Sequence, residues 1–280
     1  MAYLYYPGCS LEGTAMEYDL STRALFAALG ITLTPITDWT CCGATAAHAM
    51  DALLAHVLPA RNLALAEKMD QPLDILVPCS ACYLNLKTAR QAVQTDPDLL
   101  GRVNQVLSEE DLEVTGSLTV RHLLDVLSRD VDMADIARAA DNRMAGLTVA
   151  PYYGCQCLRP FPEFDDPEQP RSMEAMIKAT GAGVLKWDMG GACCGASGPA
   201  TNPDTGRVLV GRIMEQATNA QAIVTVCPMC QMNLERFQPF PIPVLYLPQF
   251  LGLAMGLSPA SVGCGLNLSD ISPFLDRAAP

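Results

Sequence analysis

The sequence predicts an α/β protein made of two duplicated β-α-β-α-β units with parallel sheets, related by pseudo-two-fold symmetry and separated by a helical insertion. Three observations carry this. Cysteines recur twice in the same order, short apolar runs alternate with helix-periodic stretches in both halves, and the composition is that of a globular chain with a large core. Of 280 residues, 50% are hydrophobic and 17% charged. That is enough apolar material for one large domain or two of about 140 residues.

The repeat is explicit. A lone Cys follows a short apolar run at Cys9 and again at Cys155. Cys41-Cys42-Gly43 returns as Cys193-Cys194-Gly195, and Cys79-x-x-Cys82 returns as Cys227-x-x-Cys230. Cys9 and Cys155 lie 146 residues apart, Cys41 and Cys193 lie 152, and Cys79 and Cys227 lie 148. Five cysteines in one order at a nearly constant offset mark an internal duplication.

The elements follow in order. Residues 4–6, 31–36 and 73–77 are short apolar or β-branched runs, expected as buried strands. Between them, residues 17–29 and 44–69 have helical periodicity, and Gly30 is a natural helix stop. The matching strands are expected at 147–150, 183–187 and 222–226, with helices at 172–180 and 205–219. Residues 95–116 are acidic and polar and 118–127 are apolar-periodic, so 95–145 are expected as a helical insertion and linker. The units then run over 1–145 and 146–280, the second ending in a Pro- and Ser-bearing tail at 258–280 expected to be irregular. Alternating β and α elements favour parallel sheets with right-handed crossovers. Every cysteine group then sits just after a strand, at the carboxyl edge where open α/β sheets bind ligands.

Charge narrows the classes. With 18 Lys and Arg against 30 Asp and Glu the net charge is −12, and no basic patch is present, which excludes a nucleic-acid partner. The start MAYLYYPGCS has no charged or apolar leader region. The most apolar late stretch, residues 246–257, contains a Pro and falls short of the roughly 20 residues that span a bilayer. The expectation is a cytoplasmic protein without a transmembrane segment. In a reducing compartment, clustered thiols mean metal or redox chemistry rather than a disulfide framework.

Each half offers five thiolates, one more than tetrahedral zinc takes. Adjacent cysteines diverge along an extended backbone and do not easily chelate one ion. A cluster of several irons can use both, and soft thiolates select Fe–S, Zn or Cu(I). Two other readings remain open: structural zinc in each half, or a thioredoxin-type dithiol at the Cys-x-x-Cys pairs. The latter leaves Cys9, Cys41 and Cys42 unexplained. Cys157 and Cys264 stand outside the repeat and are read as bystanders, Cys264 as a small buried hydrophobe. His48, His56 and His122 have no counterparts in the second half and are read as solvated or core histidines. GGACCGASG at 190–198 lacks both the dinucleotide-loop spacing and a Walker lysine.

These doubled motifs resemble the cysteine-rich CCG domain family, in the branch of the heterodisulfide reductase B-type subunits. The resemblance runs from Cys9 to about Cys230. It implies two noncubane [4Fe-4S] clusters, one held by Cys9, Cys41, Cys42, Cys79 and Cys82, the other by Cys155, Cys193, Cys194, Cys227 and Cys230. It implies an oxidoreductase subunit that reduces or forms a disulfide, each cluster delivering one electron, with the cluster irons rather than side chains as reactive centres. No C-x-x-C-x-x-C-x-x-x-C-P run is present, so cubane clusters are expected on a separate small ferredoxin-like iron–sulfur partner (the C-type subunit), beside a flavin-containing one (the A-type subunit). The resemblance implies a disulfide or sulfur carrier as the substrate class. Family members often read Gly-Cys-His followed by Arg-Pro; here Gly154, Cys155, Arg159 and Pro160 are kept, but Gln156 and Cys157 intervene. Two alternatives stand beside this reading: an electron-transfer or quinone-linked anchor subunit of a succinate/fumarate reductase-like complex, and a double zinc-binding interaction module.

Overall fold

The structure is a computed structural model and describes residues 1–44, 47–197 and 202–278. In the first half, β1 (Ala2–Tyr5) leads to α1 (Met16–Ala28), β2 (Thr32–Pro35), α2 (Ala47–Met50), α3 (Leu54–Glu67), β3 (Ile75–Val77) and α4 (Ser80–Thr95). Then come α5 (Pro97–Leu107), β4 (Val120–His122), α6 (Leu123–Arg129) and α7 (Met133–Ala140). The second half repeats the pattern with β5 (Thr148–Tyr152), α8 (Ser172–Ala179), β6 (Gly183–Val184), α9 (Pro203–Gln216), β7 (Ala222–Thr225) and α10 (Pro228–Phe237). It closes with β8 (Val244–Tyr246), α11 (Leu247–Ala254) and α12 (Ser272–Ala278).

Two four-stranded sheets result, ordered β2-β1-β3-β4 and β6-β5-β7-β8. Every pairing is parallel. Their central strands are buried on both faces, as covered parallel sheets require. The α/β class and the duplication are those the sequence predicts. The number of strands is not: each unit has a fourth strand where three were expected. β4 lies inside the stretch read as helical insertion, and β8 at the start of the apolar run 246–257. Both are three residues long and pass directly into a helix, so leucines of the helix mask the strand. Val120-Arg121-His122 also breaks the apolar pattern, because Arg121 is held by Asp125 at 2.8 Å and Asp130 at 2.5 Å.

Two further differences are local. Residues 44–69 do not form one helix, because the Asp51 carboxylate accepts the Leu54 N–H at 2.8 Å and starts α3 afresh. The tail is not wholly irregular, since α12 buries Phe274 against Phe250.

The halves are joined by exchange of equivalent helices. α1, which follows the first strand of its sheet, packs on α11, which follows the last strand of the other; α8 packs on α6 in the same way. One contiguous apolar core accordingly runs through both units. Among the described residues, no helix is long and apolar enough to cross a membrane.

Candidate functional site

All ten repeated cysteines lie beyond the carboxyl ends of strands. Cys9 follows β1, Cys41 and Cys42 follow β2, and Cys79 follows β3 as the N-cap of α4, with Cys82 inside that helix. Cys155, Cys193, Cys194, Cys227 and Cys230 repeat these positions, with Cys227 capping α10 and Pro228 in its first turn. Pro there is pre-set for a helix start. The five sulfurs of each half converge. Cys42 Sγ lies 3.2 Å from Cys82 Sγ and Cys194 Sγ 3.6 Å from Cys230 Sγ. Cys9 is in hydrogen-bond reach of Cys41, and Cys155 of Cys193, while Cys79 and Cys227 reach Cys82 and Cys230. Cys9, Cys41 and Cys193 are exposed and the Cys-x-x-Cys thiols are buried, so each site opens to solvent at one end. All twelve cysteines are free thiols.

The supporting groups are duplicated too. Tyr6 Oη donates to the Thr40 carbonyl and Tyr152 Oη to the Ala192 carbonyl, each at 2.7 Å and each just before a Cys-Cys pair. Trp39 and Trp187 pack edge-on against these rings. Gly43 N–H donates to Cys41 Sγ at 3.4 Å and Gly195 N–H to Cys193 Sγ at 3.3 Å. Gly8 and Gly154 have φ of 74° and 70°, and a Cβ on either would stand 2.8 Å from a Cys82 or Cys230 sulfur. Asn85 Nδ2 donates to the Cys42 carbonyl at 3.0 Å, and Asn233 Nδ2 to the Cys194 carbonyl at 2.7 Å. Replacing either Asn by Ala leaves a buried carbonyl unpaired. Each variant is expected to lose about 1–3 kcal/mol of stability, read by urea unfolding.

The thiols polarise one another. Cys82 holds the Cys42 thiol below its usual value and Cys230 does the same to Cys194, while Cys82 and Cys230 are pushed well up by those same bonds. Burial pushes Cys155 up to about 12, and Cys9 upward as well. Among the described residues, no group of three or more His, Cys, Asp or Glu side chains is arranged to hold a single metal ion.

Between the two cysteine sites lies a junction that no spacing in the sequence marks. Tyr18 Oη, fully buried, lies 3.1 Å from the Pro78 carbonyl and 3.0 Å from the Val226 carbonyl, the residues preceding Cys79 and Cys227. The Tyr18 ring stacks on Tyr246 of the other half at 4.0 Å, and His122 is parallel to Phe164 of the other half at 6.1 Å. Lys87 pairs with Glu163 across one side of the junction. Glu17 and Glu235 also face each other's charge, Ser269 donating to Glu235 at 2.8 Å. Burial raises Glu235, and burial first, then Glu235, raises Glu17 to about 7. Gln231, the residue after Cys230, is buried there with both amide atoms unpartnered among the described residues. Ionising Glu17 costs the folded state more than the unfolded one, so its contribution is intact below about pH 4.5 and is lost as pH rises towards 7. Glu17→Gln is expected to unfold at the same temperature as wild type at pH 4.5 and at a higher one at pH 8, by calorimetry.

The residues outside the repeat fall as follows. Cys157 is fully buried, its thiol donating to the Tyr153 carbonyl at 3.3 Å, and Cys264 is buried with its pKa raised to about 11 by burial. His48 lies on α2 and His56 on α3, rather than on one helix. His122 is a core histidine, as expected, and caps α6. Arg159 donates to the Pro167 carbonyl at 2.6 Å and the Gly191 carbonyl at 3.0 Å, tying the Cys155 loop to the Cys193 loop.

Two parallel sheets, each lined at its carboxyl edge by five converging thiols, define a duplicated cysteine-rich α/β protein. The model of the cysteine-rich domain (CCG) matches residues 3–87 and 149–235, and the chain belongs to that family. It is 34% identical over 281 residues to the 8-methylmenaquinol:fumarate reductase membrane anchor subunit of Wolinella succinogenes, covering 96% of this chain and 97% of that one. It is 30% identical over 278 residues to a protein of Archaeoglobus profundus that is named as like the B-type subunit of heterodisulfide reductase, covering 93% and 92%. It is 27% identical over 286 residues to the B-type subunit of the ferredoxin:CoB-CoM heterodisulfide reductase of Methanosarcina mazei, covering 96% and 94%. Among solved structures, a hypothetical protein from Helicobacter pylori shares the fold at a TM-score of 0.76 and 11% identity. The match covers 97% of this chain, which spans about half the length of that protein (52%).

Proposed function

We propose that this chain is an iron–sulfur oxidoreductase subunit of the heterodisulfide reductase B type, which reduces or forms a disulfide with two noncubane [4Fe-4S] clusters, one in each unit. The observation that carries the reading is the twofold convergence of five thiols at a sheet edge. The donor set fits such a group. Five soft thiolates exceed what zinc or a cubane takes, Gly8 and Gly154 keep a Cβ off the ligand sulfurs, and Gly43 and Gly195 N–H groups bond to sulfur.

Cys9, Cys41, Cys42, Cys79 and Cys82 would hold the first cluster, and Cys155, Cys193, Cys194, Cys227 and Cys230 the second. Bound clusters supply two one-electron centres, the number a disulfide couple needs. The chain itself binds and orients. Cys79 and Cys227 sit at the N-termini of α4 and α10, and the hydrogen bond from Cys230 lowers the Cys227 thiol to about 7. Tyr18 holds the two ligand loops at one separation, and the Tyr18–Tyr246 stack keeps water out of the junction. The reading takes 1–145 and 146–280 as the two units. It gives the chain a small ferredoxin-like iron–sulfur partner and a flavin-containing one in a cytoplasmic complex.

A second reading is supported by the 34% identity to a fumarate reductase anchor subunit over nearly the whole chain: an electron-transferring or quinone-linked anchor of such a complex. One preparation separates them. The native complex, purified anaerobically and supplied with a reduced viologen, is expected to release thiols from a disulfide such as the CoM–CoB heterodisulfide. Quinol-dependent fumarate reduction with retention on salt-washed membranes, and no thiol release, would establish the second reading. A colourless protein with one zinc per unit would overturn both.

A further inference from the structure

The junction between the two cysteine loops breaks the symmetry of the fold at one point. Ser80 follows Cys79, but Pro228 follows Cys227, and Pro has neither a hydroxyl nor an N–H to offer. His122 ends β4, whereas Tyr246 ends β8 in the same register. The histidine decides where the serine proton goes. His122 Nδ1 accepts the Leu124 N–H at 3.2 Å, and burial keeps the ring neutral, with a pKa of about 3. Its single ring proton therefore sits on Nε2, facing the Pro78 carbonyl and Ser80 Oγ, the latter at 3.2 Å.

A protonated Nε2 cannot accept, so the Ser80 hydroxyl must donate elsewhere. Within its reach are the Val226 carbonyl at 3.4 Å and the sulfurs of Cys227 and Cys157. All three belong to the second half. Cys157 directs its own S–H to the Tyr153 carbonyl, which leaves its sulfur able to accept. Tyr18 does not restore the balance, because it lies equally near the loop carbonyls of both halves.

We propose that Ser80, oriented by His122, is a positioning residue that donates across the junction to the Cys227 loop and makes the second cluster site easier to reduce than the first. This rests on the iron–sulfur reading above. A hydrogen bond at a ligand sulfur stabilises the more negative, reduced state and raises the potential, and the first site receives no reciprocal bond from Pro228. The first electron delivered to the chain then settles in the second half.

The test uses the full-length chain, loaded anaerobically, in two backgrounds: Cys42→Ser to leave the second cluster and Cys194→Ser to leave the first. Potentials are read by EPR-monitored redox titration. Ser80→Ala is expected to shift the reduced-to-oxidised ratio of the second cluster about tenfold towards oxidised at fixed potential, about 59 mV, the size of one charge-assisted hydrogen bond. The first cluster should move by less, and Ser80→Thr should restore the wild-type value. Equal shifts in both backgrounds, or none in the second, overturn the proposal. If Ser80→Ala does not load, electron–nuclear double resonance of the second cluster with Ser80 intact should show an exchangeable proton lost in D2O, and its absence overturns the proposal equally. Failure of either background to hold iron would instead reject the cluster reading itself.

Discussion

Anaerobically reconstituted protein is expected to hold about eight irons, and Cys42→Ser or Cys194→Ser to lower that to about four, taking two four-iron clusters of the family type. These two cysteines are the sharpest probes because each is buried at the centre of its site, within 3.2 Å and 3.6 Å of the helical Cys82 and Cys230 sulfurs. Each also has its backbone carbonyl held by an Asn one turn beyond that helical cysteine. Serine keeps the size and removes the soft ligand, so loss of iron reports coordination rather than packing. The loss should be confined to one half, because the two sets of thiols are separate. Cys157→Ser and Cys264→Ser should keep the full complement. Iron and sulfide analysis with Mössbauer spectroscopy checks this; full iron in both Cys-Cys variants would remove them from the ligand set.

Gly8→Ala and Gly154→Ala should each empty one site as well, for a steric reason. At φ of 74° and 70° an L-residue is strained by about 1–3 kcal/mol, and the new methyl would lie 2.8 Å from the Cys82 or Cys230 sulfur. Gly30→Ala separates the two effects. Gly30 has φ of 68° but nothing within 4 Å of where its Cβ would stand, so it should lose only the backbone strain and keep all its iron. Iron content and unfolding midpoint, measured together, distinguish the outcomes. If Gly30→Ala loses iron as Gly8→Ala does, crowding of the sulfur is not the cause.

Much of the site was legible because it is written in residue types that do little else in clusters. Five cysteines in a fixed order, repeated, announce paired thiol sites, and the Gly after each Cys-Cys marks backbone held close to them, whereas the crowding at Gly8 and Gly154 came only from the structure. Strands β1, β3, β5 and β7 were legible as apolar runs. β4 and β8 were not, since a three-residue strand has too few positions for a period and its neighbours are helix formers. Nor were Tyr18, Ser80, His122, Glu17 and Glu235. On a helix, Glu17 and Tyr18 look like any amphipathic pair, and Ser80 like an ordinary first-turn residue.

The amino-acid order alone determined the duplication, the parallel α/β class and the identity of the thiols, because those depend on periodicity and on cysteine chemistry that survives without coordinates. Only the tertiary structure decided how the two units meet. Exchange of α1 and α8 between the sheets brings α1 against α11 from the far end of the chain, and α8 against α6 of the first unit. It sets one tyrosine between two cysteine loops and one serine against the carbonyl that precedes Cys227 of the other half. Such contacts arise from packing two apolar faces into one core, and the sequence pattern of each unit, read separately, carries no record of which face of its neighbour it will find.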